Sequence, residues 1–69
     1  MLIGKMVYTK ERDIKGRVID ETKNTLLIDE KGNIKRIIKD KNRFVVYTDG
    51  KTIKIRGSDI VMRPWEYAV

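Results

Sequence analysis

The sequence predicts an all-β domain: a small, closed and strongly twisted antiparallel barrel of about six strands. Isoleucine, valine and threonine make up 21 of the 69 residues, and their stiff β-branched side chains suit a pleated sheet better than a helix. Short apolar or alternating segments recur at intervals of about eight to twelve residues, separated by glycine, asparagine and aspartate. No segment predicts a helix long enough to cover an open sheet, so closure is the arrangement that removes exposed strand edges.

Six segments are predicted to be strands, and a short seventh precedes the only proline, Pro64. They are residues 2–9, 14–21, 25–29, 34–39, 43–48 and 52–56, followed by 59–63. The segments "DEKGN" and "TDGKT" are typical of hairpin turns, because Gly32 and Gly50 tolerate the positive φ that tight turns require. Gly16 lies inside the second strand, where glycine predicts a sharp bend or a bulge.

Alternation along the strands predicts which apolar side chains enter the core. The expected inward set is Val18, Leu26, Ile28, Phe44, Val46, Ile53 and Ile55. Four others are candidates for the outer face, under a terminal segment or a partner: Ile19, Leu27, Ile37 and Val45. The C-terminal "PWEYAV" is too short for a second domain, so residues 1–69 are expected to form one domain, with Trp65 and Tyr67 folding back or docking elsewhere.

Composition excludes several classes of function. The chain contains neither cysteine nor histidine, which excludes a disulfide, a thiolate nucleophile, an imidazole base and an ordinary zinc site. The net charge of +6 favours a polyanionic partner, with nucleic acid first and an anionic membrane second. The sequence contains neither a membrane-spanning apolar run nor a signal peptide. We therefore expect a soluble cytoplasmic protein with no membrane association, no cofactor and no small-molecule substrate.

The acidic stretch that begins at Asp20 and Glu21 raises the question of a metal or catalytic site. Adjacent residues of a strand point to opposite faces, so these two carboxylates cannot easily share one metal ion. The following residues suit a turn, with Asn24 as the expected position of positive φ. We therefore predict a turn between two strands here, and neither a metal site nor a catalytic site.

Charge is distributed unevenly along the chain. Residues 31–43 contain six basic residues and one acid, whereas residues 20–30 contain four acids and one lysine. The basic stretch is the better candidate for binding anions, although lysine-rich strands also protect sheet edges without binding anything. Phosphate contacts fix position without reading sequence. Tyr8, Tyr47 and Trp65 are available either for stacking on unpaired bases or for packing at the barrel rim.

Two longer strings resemble a known family. "GRVIDETKNTLLI" and "GSDIVMRP", together with "LIGKMV" and "IIKDKNRFVV", are similar to archaeal protein component 1 of ribonuclease P over residues 2–64. The resemblance implies an Sm-like barrel, of the same general shape as SH3-like barrels. It also implies a non-catalytic RNA-binding subunit that stabilises the catalytic RNA for 5′ maturation of precursor tRNA. The expected partners are ribonuclease P RNA and a small zinc-ribbon subunit of the same particle.

On this interpretation the chain is an accessory subunit of an endoribonuclease and is not catalytic by itself. The residues predicted to contact RNA phosphates are basic and lie in strands, turns and the C-terminal segment. They are Arg17, Lys23, Lys39, Lys41, Arg43 and Arg63, with Lys10 and Arg12 supporting them from the first loop.

Two alternatives from other classes remain. "IRGSDI" also resembles the second signature of Sm and Sm-like proteins, which would make this chain a ring-forming RNA chaperone. Small barrels also dock proteins, and Ile19, Leu27 or Trp65 would supply an apolar patch for that purpose. A monomer in solution favours the accessory subunit, and a hexamer or heptamer favours the ring. An enzyme is the weakest class, because Ser58 has no histidine or cysteine to act with.

Overall fold

The computed structural model describes residues 1–67 and contains a single antiparallel sheet. Its strands are β1 (Met6–Thr9), β2 (Ile14–Glu21), β3 (Thr25–Glu30), β4 (Asn33–Ile38), β5 (Arg43–Thr48) and β6 (Lys51–Arg56). They are arranged in the order β4-β3-β2-β1-β5-β6. The prediction of an all-β, barrel-like fold with six strands is confirmed. No helix in the described residues has the length and apolar character needed to cross a membrane.

Two tight hairpins set the register of the sheet at both of its edges. Lys31 and Gly32 join β3 to β4 with φ values of 51° and 90°. Asp49 and Gly50 join β5 to β6 with φ values of 51° and 74°. Positive φ at both central residues matches the right-handed twist of the flanking strands. The prediction of both hairpins from their glycines is therefore confirmed.

The turn between β2 and β3 differs from the prediction. Asn24 is not among the residues with positive φ. Thr22 and Thr25 close the turn instead, because Thr22 N donates to Thr25 O at 2.9 Å and Thr25 N donates to the Thr22 hydroxyl at 3.1 Å. The two hydroxyl oxygens are also 2.7 Å apart. Threonine hydroxyls thus satisfy the backbone here, and no left-handed residue is required.

β2 is distorted near its middle, as Gly16 predicts. A Cβ atom at Gly16 would lie 2.2 Å from Asp29 O, so only glycine lets β3 approach this closely. The register between β2 and β3 shifts between Val18 and Asp20, which is a bulge. A bulge bends the strand and increases its twist. This curvature lets the sheet wrap around the core.

Strand hydrogen bonds do not close the barrel between its edge strands, β4 and β6. Two 3₁₀ turns, Lys39–Lys41 and Gly57–Ile60, follow these strands and pack against each other. Gly57 N donates to Asn42 O at 2.9 Å. A Cβ atom at Gly57 would lie 1.5 Å from Lys39 O, so glycine is required where the two turns meet. The Gly57 of the "RGSD" string is therefore explained by packing.

The inner face of the sheet forms one apolar core. It consists of Leu2, Val7, Ile14, Val18, Leu26, Ile28, Ile37, Phe44, Val46 and Ile60. Five of the seven residues predicted to face inward belong to it, and Ile55 packs against it while partly buried. Ile53 lies opposite the buried Val46 and therefore faces inward as predicted, but its place on the edge strand β6 leaves it 37% exposed and outside the buried core.

The outer-face prediction is confirmed for Ile19, which is 44% exposed, and wrong for Ile37. Ile37 lies opposite Leu26 in the sheet and is fully buried. In the consecutive pair of isoleucines, Ile38 is the exposed member. A shift of one residue exchanges the two faces of a strand, and composition alone does not fix it. Leu27 and Val45 are half-buried on the outer face.

The predicted seventh strand, residues 59–63, does not form. Its first half belongs to the 3₁₀ turn that buries Ile60. The carbonyl oxygen of Met62 accepts a hydrogen bond from the Lys39 side chain at 3.0 Å. The first strand is also shorter than predicted, because residues 2–5 form a turn in which Gly4 has a φ of 88°.

A buried polar network ties Leu2 and Tyr67, near the two limits of the described residues, to the barrel. Lys39 Nζ lies 2.8 Å from Glu21 Oε2, and both side chains are fully buried. Leu2 N donates to Glu21 Oε1 at 2.9 Å, and the Tyr67 hydroxyl donates to the same carboxylate. Burial, followed by the hydrogen bond to Glu21, raises the pKa of the Tyr67 phenol well above its usual range. The phenol therefore remains a neutral donor.

The aromatic residues of the C-terminal segment have different environments. Tyr67 folds back against the core, as one of the two predicted alternatives requires. Trp65 is 77% exposed, and the Arg63 guanidinium lies 5.8 Å from its ring centroid. Ala68 and Val69, the last two residues of "PWEYAV", lie outside the described part of the chain.

Candidate nucleic-acid interface

Four neighbouring strands, β2, β1, β5 and β6, share an outer surface that is rich in basic side chains. We call it the outer cationic face and define it by its exposed basic residues, Lys10, Lys15, Arg17, Arg43, Lys54 and Arg56. Strand register fixes their positions. Tyr8 lies opposite both Lys15 and Val45, and Val45 lies opposite Lys54. Cross-strand neighbours point to the same side of a sheet, so a row of four side chains crosses the strands: Lys15, Tyr8, Val45 and Lys54.

Three cations converge where β1, β5 and β6 meet at one end of this face. Lys10 N donates to Arg43 O at 3.1 Å, and Arg43 lies directly opposite Arg56. Like charges directly opposite each other are unfavourable in a sheet. Each arginine has one carboxylate partner, Glu11 for Arg43 and Asp59 for Arg56. The remaining guanidinium N–H groups match the geometry of phosphate oxygens.

The same cations border two adjoining grooves. One groove of about 280 Å³ is lined by Tyr8, Lys10, Arg43, Phe44, Val45, Lys54, Ile55 and Arg56. The next, of about 190 Å³, is lined by Glu11, Asp40, Lys41, Asn42, Arg43, Arg56, Gly57 and Ser58. Since Arg43 and Arg56 line both, the grooves form a continuous surface. Lys41 lines the second groove with Arg43 and Arg56, so it belongs to the group of cations at this end of the outer cationic face.

Comparisons with known proteins identify the family. The family model described as "Ribonuclease P/MRP, subunit p29" matches residues 4–68. The chain belongs to this family. The ribonuclease P protein component 1 of Archaeoglobus fulgidus is 43% identical over 54 residues, which cover 78% of this chain and 53% of that protein. The ribonuclease P protein component 1 of Desulfurococcus amylolyticus is 40% identical over 55 residues, which cover 77% of this chain and 60% of that protein.

The match confirms the resemblance first seen in "GRVIDETKNTLLI" and "GSDIVMRP". The p29-family chain spans between 53% and 60% of the length of these two relatives. In the structure, the first string forms β2, the following turn and β3, and the second forms the 3₁₀ turn with Gly57 and the approach to Pro64. Both strings therefore contribute residues that shape the barrel, notably Gly16 and Gly57.

The structure distributes the predicted RNA contacts of the p29-family chain over several places. Lys10, Arg17 and Arg43 lie on the outer cationic face, and Lys41 borders the adjoining groove. Arg12 is exposed in the loop between β1 and β2. For these five residues, contact with RNA stays a prediction.

Lys23 and Arg63 are exposed but lie away from the outer cationic face. Lys23 is in the turn between β2 and β3, and Arg63 precedes the last 3₁₀ turn beside Trp65. Their roles stay predictions. The prediction that Lys39 contacts phosphate is corrected by the structure. Its side chain is fully buried and paired with Glu21, so it is not a surface contact.

The basic stretch of residues 31–43 is not one surface, contrary to its appearance in the sequence. It spans β4 and β5, which are not neighbours in the sheet, and it includes the buried Lys39. The cations missed by sequence reasoning are Lys15, Lys54 and Arg56. Alternation placed Lys54 and Arg56 outside the core, but only the strand order brings them beside β5 and β1.

Glu11 is an acidic neighbour within this basic region. Its carboxylate accepts hydrogen bonds from the Arg43 backbone N–H at 2.7 Å and from Arg43 Nε at 2.8 Å. The backbone bond, followed by the side-chain bond, lowers the pKa of the Glu11 carboxyl. Glu11 therefore holds Arg43 in place and also neutralises part of its charge.

Replacing Glu11 with glutamine is expected to raise the affinity for RNA. Removing a negative charge about 7 Å from a phosphate in water is expected to raise the affinity about threefold. The glutamine oxygen still accepts from the Arg43 backbone, so the loop is retained. Filter binding at low salt measures the change. Asp49→Asn, in the distant β5–β6 turn, removes the same charge and is expected to leave the affinity nearly unchanged.

The same variant predicts a pH dependence of stability. Because the folded-state pKa of Glu11 is lowered, its stabilising effect is present above its pKa in the unfolded chain. The effect is lost as pH falls through the folded-state pKa. The difference in unfolding free energy between the original chain and Glu11→Gln should therefore disappear in acid. A difference that grows as pH falls would contradict this assignment.

Proposed function

We propose that this chain is an RNA-binding, non-catalytic protein subunit of ribonuclease P that stabilises the catalytic RNA for 5′ maturation of precursor tRNA. The observation that carries the proposal is the convergence of Lys10, Arg43 and Arg56 beside two open grooves, in a chain of the p29 family. Contacts from such cations to phosphates position an RNA without reading its sequence. That is the property a subunit needs in order to stabilise a folded RNA.

The chemistry in this proposal belongs to the RNA. Among residues 1–67, no three His, Cys, Asp or Glu side chains are grouped so that they could hold a metal ion. Asp20 is exposed while Glu21 is buried, which agrees with their placement on opposite faces of β2. Ser58 lies in the 3₁₀ turn after Gly57, in a chain without histidine.

The proposed partners are ribonuclease P RNA and a zinc-ribbon subunit of the same particle. A protein partner is supported by apolar side chains on the outer face of the sheet, toward its β4 edge. Ile19, Ile34 and Ile38 are all exposed there, on β2 and β4, and exposed apolar groups often mark protein contacts. We place the protein in the cytoplasm, in keeping with its lack of cysteine and its proposed RNA partner.

Reconstitution tests this function. The purified protein is added to a ribonuclease P RNA at limiting magnesium, and cleavage of precursor tRNA is scored. We expect the protein to increase cleavage by the RNA and to cleave nothing alone. Its RNA affinity should fall with salt, with log K decreasing by about 0.7 to 0.9 per phosphate contact for each decade of salt. Absence of affinity for structured RNA at low salt would overturn the proposal.

A ring-forming Sm-like RNA-binding protein is the second candidate. It is favoured by the two edge strands, β4 and β6, which each pair with only one neighbour among the described strands. Unpaired edges are templates for pairing between chains. Light scattering separates the candidates, because a ring requires a hexamer or heptamer and the accessory subunit is expected to be a monomer.

A further inference from the structure

Two tyrosines lie at the centre of the outer cationic face. Tyr8 on β1 lies opposite Val45 on β5, and Met6 lies opposite Tyr47. One pair, Val7 with Val46, separates them, so Tyr8 and Tyr47 are diagonal neighbours on the same side of the sheet. Diagonal side chains are within reach of each other when they are aromatic. The two rings therefore form one aromatic area.

The core does not account for these tyrosines. The buried apolar cluster includes Phe44 but neither Tyr8 nor Tyr47. Tyr47 is 36% exposed, and Tyr8 is half-buried on the outer face. Both tyrosine rings therefore have surface outside the core that a ligand can reach.

The surroundings of each ring suit a stacking partner. Lys15 Nζ lies 4.8 Å from the Tyr47 ring centroid, so one face of that ring contacts an exposed, flexible lysine side chain. A base that stacks there displaces this lysine, because an exposed cation–π contact is weaker than a stacked base. The Tyr8 hydroxyl donates to Asp13 Oδ1 at 2.8 Å, which restrains the orientation of its ring. A restrained ring loses little conformational entropy when a flat group stacks on it.

Cations flank the tyrosines on both sides. Lys15 and Arg17 lie on β2, to one side of β1. Lys54 and Arg56 lie on β6, to the far side of β5. The tyrosines are thus bordered by positive charge along the direction that crosses the strands. The groove beside Tyr8 also has an apolar floor that includes Val45 and Ile55, which suits the flat surface of a base.

We propose that the outer cationic face binds unpaired nucleotides of RNA, with bases stacked on Tyr8 and Tyr47 and phosphates held by the flanking cations. This inference rests on the proposed RNA-binding function and adds the class of RNA that the face selects. In a duplex the bases are already stacked and paired, so a protein meets mainly sugars and phosphates. An aromatic area contributes only where bases are unpaired, since stacking on it requires a free base surface.

Competition between two RNAs tests the inference. The probes are an unstructured 10-nucleotide RNA and a duplex of the same length, measured by fluorescence anisotropy at one salt concentration. Tyr47→Leu is expected to lose about 5- to 150-fold in affinity for the unstructured RNA, the range for loss of one stacked base. Its affinity for the duplex should change less than twofold. Tyr47→Phe keeps the ring and should bind both RNAs like the original protein.

The outcomes separate the two levels of the proposal. If the original protein binds neither RNA, the proposed function fails and this inference fails with it. If it binds both but Tyr47→Leu leaves both affinities unchanged, or lowers both equally, RNA binding stands and the stacking inference is overturned. A selective loss for the unstructured RNA, with Tyr47→Phe unaffected, supports the inference.

Discussion

Replacing Lys39 with methionine is expected to lower the free energy of unfolding by about 3 to 5 kcal/mol. The Lys39 ammonium and the Glu21 carboxylate are both fully buried and 2.8 Å apart. Methionine fills a similar volume but leaves the carboxylate buried without its cation, which is the costly way to break such a pair. The loss is a large fraction of the 5 to 15 kcal/mol by which small domains are stable.

Urea unfolding followed by circular dichroism measures this loss. Lys41→Met is the matched control, because Lys41 lies in the same 3₁₀ turn but is exposed. It should change stability by less than about 0.5 kcal/mol. The double variant Glu21→Gln/Lys39→Met removes both charges and keeps an acceptor for Leu2 N, so it should recover part of the loss. Equal urea midpoints for Lys39→Met and Lys41→Met would contradict a structural role for the pair.

Features of the fold with local causes could be predicted from the sequence. The hairpins at Gly32 and Gly50 depend on two or three adjacent residues, because the turn itself requires positive φ. Inward placement of Leu26, Ile28 and Phe44 follows from alternation within single strands. These predictions are confirmed because the cause of each feature lies within a segment of fewer than about ten residues. That is about the length of a typical strand with its turn.

Features with distant causes could not be predicted. Lys39 appears in the sequence as one more lysine of a basic stretch, yet its burial depends on Glu21 and on the carbonyl of Met62. Gly57 appears as part of an Sm-like signature, yet it is required because Lys39 O lies where its Cβ would be. In both cases the deciding contact is with a residue many positions away, and pattern within a strand carries no information about it.

The candidate interface shows the same limit. Alternation in "TIKIR" identified Lys54 and Arg56 as outward-facing, but their value as a binding surface comes from pairing of β6 with β5 and of β5 with β1. The strand order places β4 and β5 apart, so a run of charge along the chain was not a patch in space. Strand neighbours, not sequence neighbours, determine which cations act together.

The double variant Lys10→Ala/Arg56→Ala is expected to lose about 100-fold in RNA affinity at 50 mM salt. Both side chains are exposed where β1, β5 and β6 meet. Each phosphate contact makes the slope of log K against log salt steeper by about 0.7 to 0.9. Each contact therefore contributes about tenfold in affinity at 50 mM salt relative to 1 M salt. The slope should therefore become shallower by about 1.4 to 1.8, and the loss should shrink to about threefold at 500 mM.

Filter binding across a salt series, with Arg36→Ala/Lys51→Ala as control, distinguishes a located interface from general charge. The control also removes two exposed cations, so it has the same net charge. Its cations lie on the outer side of β4 and at the turn end of β6, away from Arg43. It should lose less than about threefold, the combined effect of two charges at about 14 Å in water. Equal losses in the two variants would mean that RNA responds to net charge alone, and the grooves beside Arg43 would then have no special role.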